Sequence, residues 1–550
     1  MDLDTMTPGA APQDQPSVAA LRGSAATGGR AQAPAPAVGE AEGPTATWTL
    51  DLPDEDATLA LARVIAEMLR PGDLVTLSGD LGSGKSTLAR ALVRTLAQDP
   101  SVEVPSPTFT LIQQYDTPAG SVVHADLYRI SGPDDLLELG WEEATAGAIA
   151  LVEWPERAQR PLARDRLDVM LRIAPDGASH RFAVMTGFGA WADRLAIARA
   201  IRSVLAQAGW HDAGRAHLQG DASTRAYERL TKPSGATAIL MISPRRPDGP
   251  AIRRGKPYSA IAHLAESVHA FVAMANGLRA LDISAPEIMG ADLDAGVLLV
   301  EDLGDAGVVD DGVPLPARYE AAAHVLARLH AIELPHTLPV ADGIDHVIPP
   351  YDLDALMIEV ELLLDWYLPA NSRALPALAR SQFTAAWNEV LRPVVAAKPT
   401  WALRDYHSPN LIWLPDRAEA QRLGVIDFQD TVLGHPAYDA VSLFQDARVT
   451  VPADLELKLL SAYARARQAA EADFELPAFA QAYAVLGAQR ATKLLGIFTR
   501  LDRRDGKPQY LKHLPRIEAY LRRDLAHPML APVKAWYETH LPRLLADDAG

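Results

Sequence analysis

The sequence predicts an α/β unit with a mostly parallel sheet, followed by a bilobal α+β unit whose second lobe is largely helical. Three observations carry this expectation. Short apolar β runs alternate with helical stretches from residue 47 to about 195, and strands interleaved with helices imply a sheet with parallel neighbours. Beyond about residue 200 the composition changes, and short strands near "AILMI" and "GVLLVED" give way to long helical stretches such as "ARYEAAAHVLARLHAI" and "PAFAQAYAVLGAQRATKLLGIFTRL". A chain of 550 residues also exceeds what one hydrophobic core usually serves. The expected division is a tail over 1–45, an α/β unit over 46–195 and the second unit over 200–545.

Taken in order, the first 43 residues are Ala, Pro, Gly and Ser with almost no large apolar side chains, too little burial to offset the entropy of ordering them, so a disordered tail is expected. "TWTLDL" reads as a strand, "ATLALARVIAEMLR" as a helix closed by Pro71 and Gly72, and "DLVTLSG" as a strand entering a glycine-rich loop. In the next helix, "STLARALVRTLAQ", Leu88, Leu92 and Leu96 recur every fourth residue beside Ala89 and Val93, placing one apolar stripe against a sheet. The strands "SVVHAD" and "AIALVEW" follow, and a helical segment from Leu195 to about Ala208 leads into the second unit.

Composition narrows the chemistry. There is no cysteine, which excludes disulfides, thiolate metal sites and a cysteine nucleophile; a metal would be a hard cation on oxygen ligands, with Mg²⁺ the natural candidate. No stretch approaches a membrane span or the apolar block of a secretory signal, so a cytoplasmic location is expected. A formal charge of −18 and a pI near 5.3 offer no broad basic face, so any RNA is expected to arrive through a partner.

The glycine-rich loop "GDLGSGKST" carries the first site. Gly79, Gly84, Lys85 and Ser86 satisfy the spacing G-x-x-x-x-G-K-[ST] between a strand and a helix. Its glycines, with Gly82 and Ser83 among the loop residues, turn backbone N–H groups toward phosphate oxygens, Lys85 reaches the β/γ-phosphates, and the Ser86 hydroxyl can bind Mg²⁺. The metal needs a carboxylate: Glu153, at the end of the apolar run "AIALV", is one candidate and Asp126 the other. Together with "SPTFTLIQQY", "HADLYRI", "ELGWEE" and "LVEWPER", in this order, the loop resembles the TsaE (YjeE) family of small ATPases of tRNA threonylcarbamoyladenosine synthesis. The resemblance implies ATP with Lys85, Ser86 and Thr87 at its phosphates and metal, Asp126 near the γ-phosphate, Glu153 as the acidic strand end, and partner subunits of the TsaB/TsaD type. It also implies that "SPTFTL" responds to nucleotide.

A second phosphoryl-transfer constellation lies downstream. In "LRDYHSPN", Asp405 and Asn410 are five residues apart, the spacing at which an Asp accepts a substrate hydroxyl proton and an Asn ligates Mg²⁺; "GVIDFQD" places Asp427 as the other metal ligand. "GDASTRAYERL" offers Gly220 and Ser223 for close approach to phosphate, and "GVLLVEDLG" offers Glu301 to Leu303 as a nucleobase-binding hinge. His435 and Asp439 read as braces. The segment from about 200 to 545 resembles the aminoglycoside phosphotransferase (choline kinase-like) superfamily, and within it the AmgK-type N-acetylmuramate/N-acetylglucosamine kinases. The resemblance implies ATP·Mg²⁺, an amino-sugar acceptor, Asp405 as base, and Asn410 and Asp427 at the metal. Two positions depart from the pattern: H-G-D reads Leu403-Arg404-Asp405, and Met241 stands where a phosphate-binding strand lysine is expected, with Arg225, Arg245 or Arg246 as candidates to compensate. Glu359, Glu361, Trp366 and Tyr367 suit either a sugar pocket or a helical core. An aminoglycoside phosphotransferase and a non-catalytic regulatory module are the alternatives for this half.

Overall fold

The computed structural model describes residues 45–546 except 176–178, 219–224, 246–248 and 372–374. The expected tail therefore lies outside the described residues, as do Gly220, Ser223 and Arg246.

The α/β unit comprises β1 (Thr45–Leu52), α1 (Glu55–Met68), β2 (Leu74–Ser78), α2 (Lys85–Ala97), β3 (Ile112–Thr117), β4 (Gly120–Asp126), the short α3 (Pro133–Glu138) and α4 (Trp141–Thr145), β5 (Ile149–Glu153), β6 (Arg166–Ile173) and β7 (Arg181–Phe188). Asp54 caps α1, its carboxylate accepting from the Ala57 amide at 2.8 Å. The seven strands lie in the order β1-β7-β6-β2-β5-β4-β3. The sheet is mixed around the parallel centre that the sequence predicts. Its four central strands are parallel, whereas β3–β4, β6–β7 and β1–β7 are antiparallel. The reason is connection length: Pro118 and Ala119 alone join β3 to β4, and a link that short admits only a hairpin. Leu88, Leu92 and Leu96 of α2 are buried against this sheet, as their spacing predicts.

Helix α5 (Ala190–Gln207) starts five residues before the expected Leu195 and contains the whole 195–200 boundary. Trp191 and Leu195 belong to the core beneath β1 and β7. Farther along, Ala200, Ile201, Val204 and Leu205 pack with Leu230, Leu240, Val297 and Leu299 of a second sheet. That sheet contains β8 (Gly214–Leu218), β9 (Ala226–Thr231), β10 (Thr237–Ile242), β13 (Ile288–Asp292) and β14 (Val297–Glu301), all antiparallel, in the order β13-β14-β10-β9-β8; the ribbon β11 (Ala251–Arg253) and β12 (Lys256–Pro257) and the turn of helix α6 (Tyr258–Ile261) intervene. Strand alternation sorts its apolar residues between two faces. Leu240 and Leu299 meet α5, while Met241, Leu298 and Val300 join the main core with α7 (Val268–Ala280).

The rest is mostly helical, with α8 (Pro316–His330), α9 (Leu353–Leu362) and the 30-residue helix Leu476–Asp505 among its core elements. Gly496 of that long helix sits so close to α9 that a Cβ there would lie 2.4 Å from the Leu362 carbonyl carbon. Two small ribbons, Thr400–Ala402 with Val432–Gly434 and Leu411–Trp413 with Leu423–Val425, flank the loop from 403 to 410. Among the described residues no helix is long and apolar enough to cross a membrane.

Candidate functional sites

Strand β2 delivers the chain into the phosphate-type loop at Gly79, whose φ of +129° and crowding make it irreplaceable: a Cβ would lie 2.2 Å from the Leu171 carbonyl oxygen. Gly84 (φ +105°) then opens α2. The Lys85 side chain is buried along the loop, its Nζ donating to the carbonyls of Gly79 at 2.7 Å and Asp80 at 2.9 Å and lying 3.8 Å from the centre of the Trp154 ring. Desolvation lowers the Lys85 ammonium below its ordinary value, against the opposing pull of Glu153. Arg181, at the start of β7, steadies the loop from outside by donating to the carbonyls of Ser83 and Gly82.

Glu153 ends β5 beside this loop. One carboxylate oxygen accepts from the Ser86 hydroxyl at 2.8 Å, and the other lies 2.9 Å from His124 Nε2. Ser86 and Glu153 thus form an oxygen pair of the kind a hard cation takes. Asp126 stands opposite Glu153 in the β4–β5 register and accepts from the Thr108 hydroxyl at 2.9 Å and the Tyr128 amide at 3.0 Å. The "SPTFTL" segment is therefore tied to Asp126 through Thr108. Thr87 follows in the first turn of α2. Sequence reasoning passed over His124; its i, i+2 spacing from Asp126 on one strand was the available signal, since alternate residues share a face.

In the second unit, Arg404 and Asp427 both adopt left-handed φ, +65° and +59°. Asp439 holds the loop by accepting from the amides of Leu403 at 2.7 Å and Arg404 at 2.9 Å. Asn410 donates to the Asp405 carbonyl at 2.9 Å and approaches Asp427 at 3.5 Å. Gln429 and Arg225 also reach Asp427, at 2.8 and 3.3 Å. Desolvation, and then the neighbouring Asp405 carboxylate, push the Asp427 carboxyl above its ordinary range. An amide and a carboxylate, Asn410 and Asp427, with the Asp405 carboxylate close by, suit a divalent cation.

Glu359 is fully buried and spent on structure: it accepts from Arg404, Lys493, Tyr351 and Gln489. It clamps the residue preceding Asp405 and is closed to a sugar. Glu361 pairs with Arg253, and the Tyr367 hydroxyl donates to Glu518 at 2.8 Å. His435 is held largely neutral, burial lowering it to about 4.

A cleft of about 750 Å³ opens between the second sheet and the Asp405 loop. Ile239, Met241, Val300 and Leu303 from one side and Ile412 and Ile426 from the other supply apolar lining, while Asn410, Asp427, Gln429, Asp430 and Arg225 are among its polar residues. Met241 pairs in register with Tyr227 and Leu298, so the expected lysine position holds a buried thioether. Arg225 is the arginine brought to Asp427; Arg245 is exposed. Glu301 and Leu303 both line the cleft, but the Glu301 amide donates to the Glu287 carbonyl at 2.9 Å and its carboxylate pairs with Arg417.

Two family models match separate parts of the chain. The family described as threonylcarbamoyl adenosine biosynthesis protein TsaE matches residues 52–181, and the phosphotransferase enzyme family matches residues 216–478. The chain is 39% identical over 345 residues to an N-acetylmuramate/N-acetylglucosamine kinase of Caulobacter vibrioides, covering 61% of this chain and 94% of that protein. It is 38% identical over 124 residues to the tRNA threonylcarbamoyladenosine biosynthesis protein TsaE of Rickettsia felis, covering 22% of this chain and 72% of that protein. A crystal structure of YdiB from Bacillus subtilis is 27% identical, with a TM-score of 0.23, covering 28% of this chain and 93% of that one. The chain is a fusion that belongs to two families, TsaE in its α/β unit and the N-acetylmuramate/N-acetylglucosamine kinases of the phosphotransferase enzyme family in its second unit.

Proposed function

We propose that the chain is bifunctional: an ATPase serving threonylcarbamoyladenosine modification of tRNA, over about 46–195, and an ATP-dependent kinase for the anomeric hydroxyl of N-acetylmuramate or N-acetylglucosamine, over about 200–545. The observation that carries the kinase reading is the Asp405–Asn410–Asp427 constellation bordering a cleft of about 750 Å³. Asp405 would take the proton of the sugar hydroxyl as its oxygen bonds the γ-phosphorus and the bond to the β-phosphate oxygen breaks, leaving ADP. Bound Mg²⁺ would neutralise phosphate charge, with Asn410 and Asp427 as its ligands here and Ser86 and Glu153 in the ATPase. Arg225, already at Asp427, would supply the cationic contact that Met241 cannot.

On this reading the ATPase half works with subunits of the TsaB/TsaD type and meets tRNA only through them, and both activities belong in the cytoplasm. The test uses two variants of the full chain. Asp405→Asn should lower sugar phosphorylation by roughly 10²- to 10⁴-fold while ATP still binds; unchanged turnover overturns the assignment. Lys85→Ala should abolish ATP-dependent association with those subunits and leave sugar phosphorylation in place. Association indifferent to ATP would count against the accessory role.

A further inference from the structure

The α/β unit has a second recess that the ATPase reading does not use. Asp126 and Glu153 end the adjacent parallel strands β4 and β5. The chain leaving those strands, with Tyr128, Arg129 and Ser131 after one and Glu156, Arg157 and Gln159 after the other, walls a cavity of about 600 Å³. Open α/β sheets take ligands at the carboxyl ends of their strands, and the volume is that of a small-molecule site. Among the described residues none of the loop from 79 to 87 lines it. Gln159 Nε2 joins the two walls by donating to the Ser131 carbonyl at 2.8 Å. Ring contacts connect the recess to the phosphate loop: Tyr128 lies 5.1 Å from Trp154, whose ring centre is 3.8 Å from Lys85 Nζ.

Its lining suits an anion with a flat body. Arg129 and Arg157 both line the cavity, and neither guanidinium has a hydrogen bond or an ion pair among the described residues. Each lies over an aromatic ring instead, Arg129 at 4.9 Å from the centre of Phe109 and Arg157 at 5.3 Å from the centre of Tyr128. Stacking of that kind orients the planar fork and leaves its N–H edge to meet an oxyanion. Phe109 is 83% exposed and Tyr128 46%, aromatic surface on which a nucleobase stacks. A carboxylate would satisfy the arginines and leave the rings bare, whereas a phosphate joined to a base uses both. Asp135 accepts from the Ser131 amide at 2.8 Å, and Asp134 stands beside it in α3; these acids disfavour a long polyanion, so the fit is to a single nucleotide. Phe109 follows Thr108, whose hydroxyl donates to Asp126 at 2.9 Å, so one arginine rests on the segment tied to that acid.

We infer that this recess binds a nucleoside monophosphate group, its phosphate on Arg129 and Arg157 and its base on the exposed rings, in addition to the ATP held by the loop. The group is either a free nucleotide or one nucleotide of an RNA presented by a partner. The inference goes beyond the ATPase reading and takes from it only the position of ATP. Equilibrium dialysis of the full chain with labelled AMP tests it, a non-hydrolysable ATP analogue and Mg²⁺ being saturating so that the loop and the kinase cleft are both filled. The parent should retain labelled AMP, displaced by unlabelled AMP at lower concentration than by inorganic phosphate or adenosine. Arg129→Met combined with Arg157→Met should weaken AMP roughly tenfold or more, as loss of charge-assisted hydrogen bonds implies, and Phe109→Ala roughly fivefold or more through lost stacking. The ATP analogue should bind every variant within about twofold of the parent, which shows that the fold is intact. A short adenine oligoribonucleotide that displaces AMP better than AMP itself supports the site with RNA as its source; weaker displacement supports it with a free nucleotide. No AMP retained, or an affinity unchanged within about twofold in the double variant, overturns the inference. A parent whose analogue binding is unaffected by Lys85→Ala removes the ATPase reading instead, a separate result.

Discussion

Glu359 shows how firmly the loop from 403 to 410 is set by a fully buried carboxylate on another element. Burial alone would raise its carboxyl, but Lys493 and Arg404 outweigh that and draw it down to about 2 from an ordinary 4.5. A carboxyl lowered on folding stabilises the native state above its unfolded value and loses that contribution as pH falls, here between about 4.5 and about 2. Glu359→Gln strands two buried cations and should cost about 3–5 kcal/mol at pH 7. Denaturant unfolding of variant and parent should show this gap narrowing as pH falls through that window; a gap independent of pH would refute the charge account. Such a residue is hard to find in a sequence, because a glutamate on an apolar helix looks the same whether it faces a ligand or an arginine. The glycine-rich loop was legible for the opposite reason. Its backbone requirements, at Gly79 and Gly84 above all, demand particular residues at fixed spacing, and Asp405 and Asn410 likewise match the five-residue spacing of a phosphoryl-transfer motif. Arg225 reaches Asp427 from 202 residues away, so no local spacing announces it, whereas Gln429 and His124 each stand two residues from an acid the motifs already mark.

Among the elements, the contact between α9 and the long helix Leu476–Asp505 is the most exacting. The missing side chain of Gly496 lets the two backbones approach, and any Cβ would meet Leu362 atoms between 2.4 and 2.6 Å away. Gly496→Val should therefore destabilise by about 1–3 kcal/mol or more through overpacking, read as a lowered denaturation midpoint. Because α9 carries Glu359 and the long helix carries Lys493, the same variant should also lower kcat for sugar phosphorylation; a stable variant with full activity would show that the approach is not required. Helices and buried strands were readable from period and apolar content, as in the α2 stripe. The antiparallel flanks of the first sheet were not, since parallel and hairpin neighbours share the same alternating pattern and differ only in how much chain joins them.

At the scale of the molecule, α5 is common property: its first half completes the core under β1 and β7, and its second half covers one face of the β8–β14 sheet. Separate expression cut between residues 197 and 198 should give two poorly soluble fragments, each with an uncovered apolar face, whereas overlapping fragments 45–210 and 190–546, both retaining the helix, should fold cooperatively in thermal scans. Equal solubility of the cut pieces would dissolve the claim. The helix is also a threaded shaft between two workshops. Inserting one residue between Ile197 and Ala200 would turn one end against the other by about 100° and advance it by about 1.5 Å, so both seats could not remain filled. Drift in the length of this joint is consequently far more dangerous to the protein than drift in its composition.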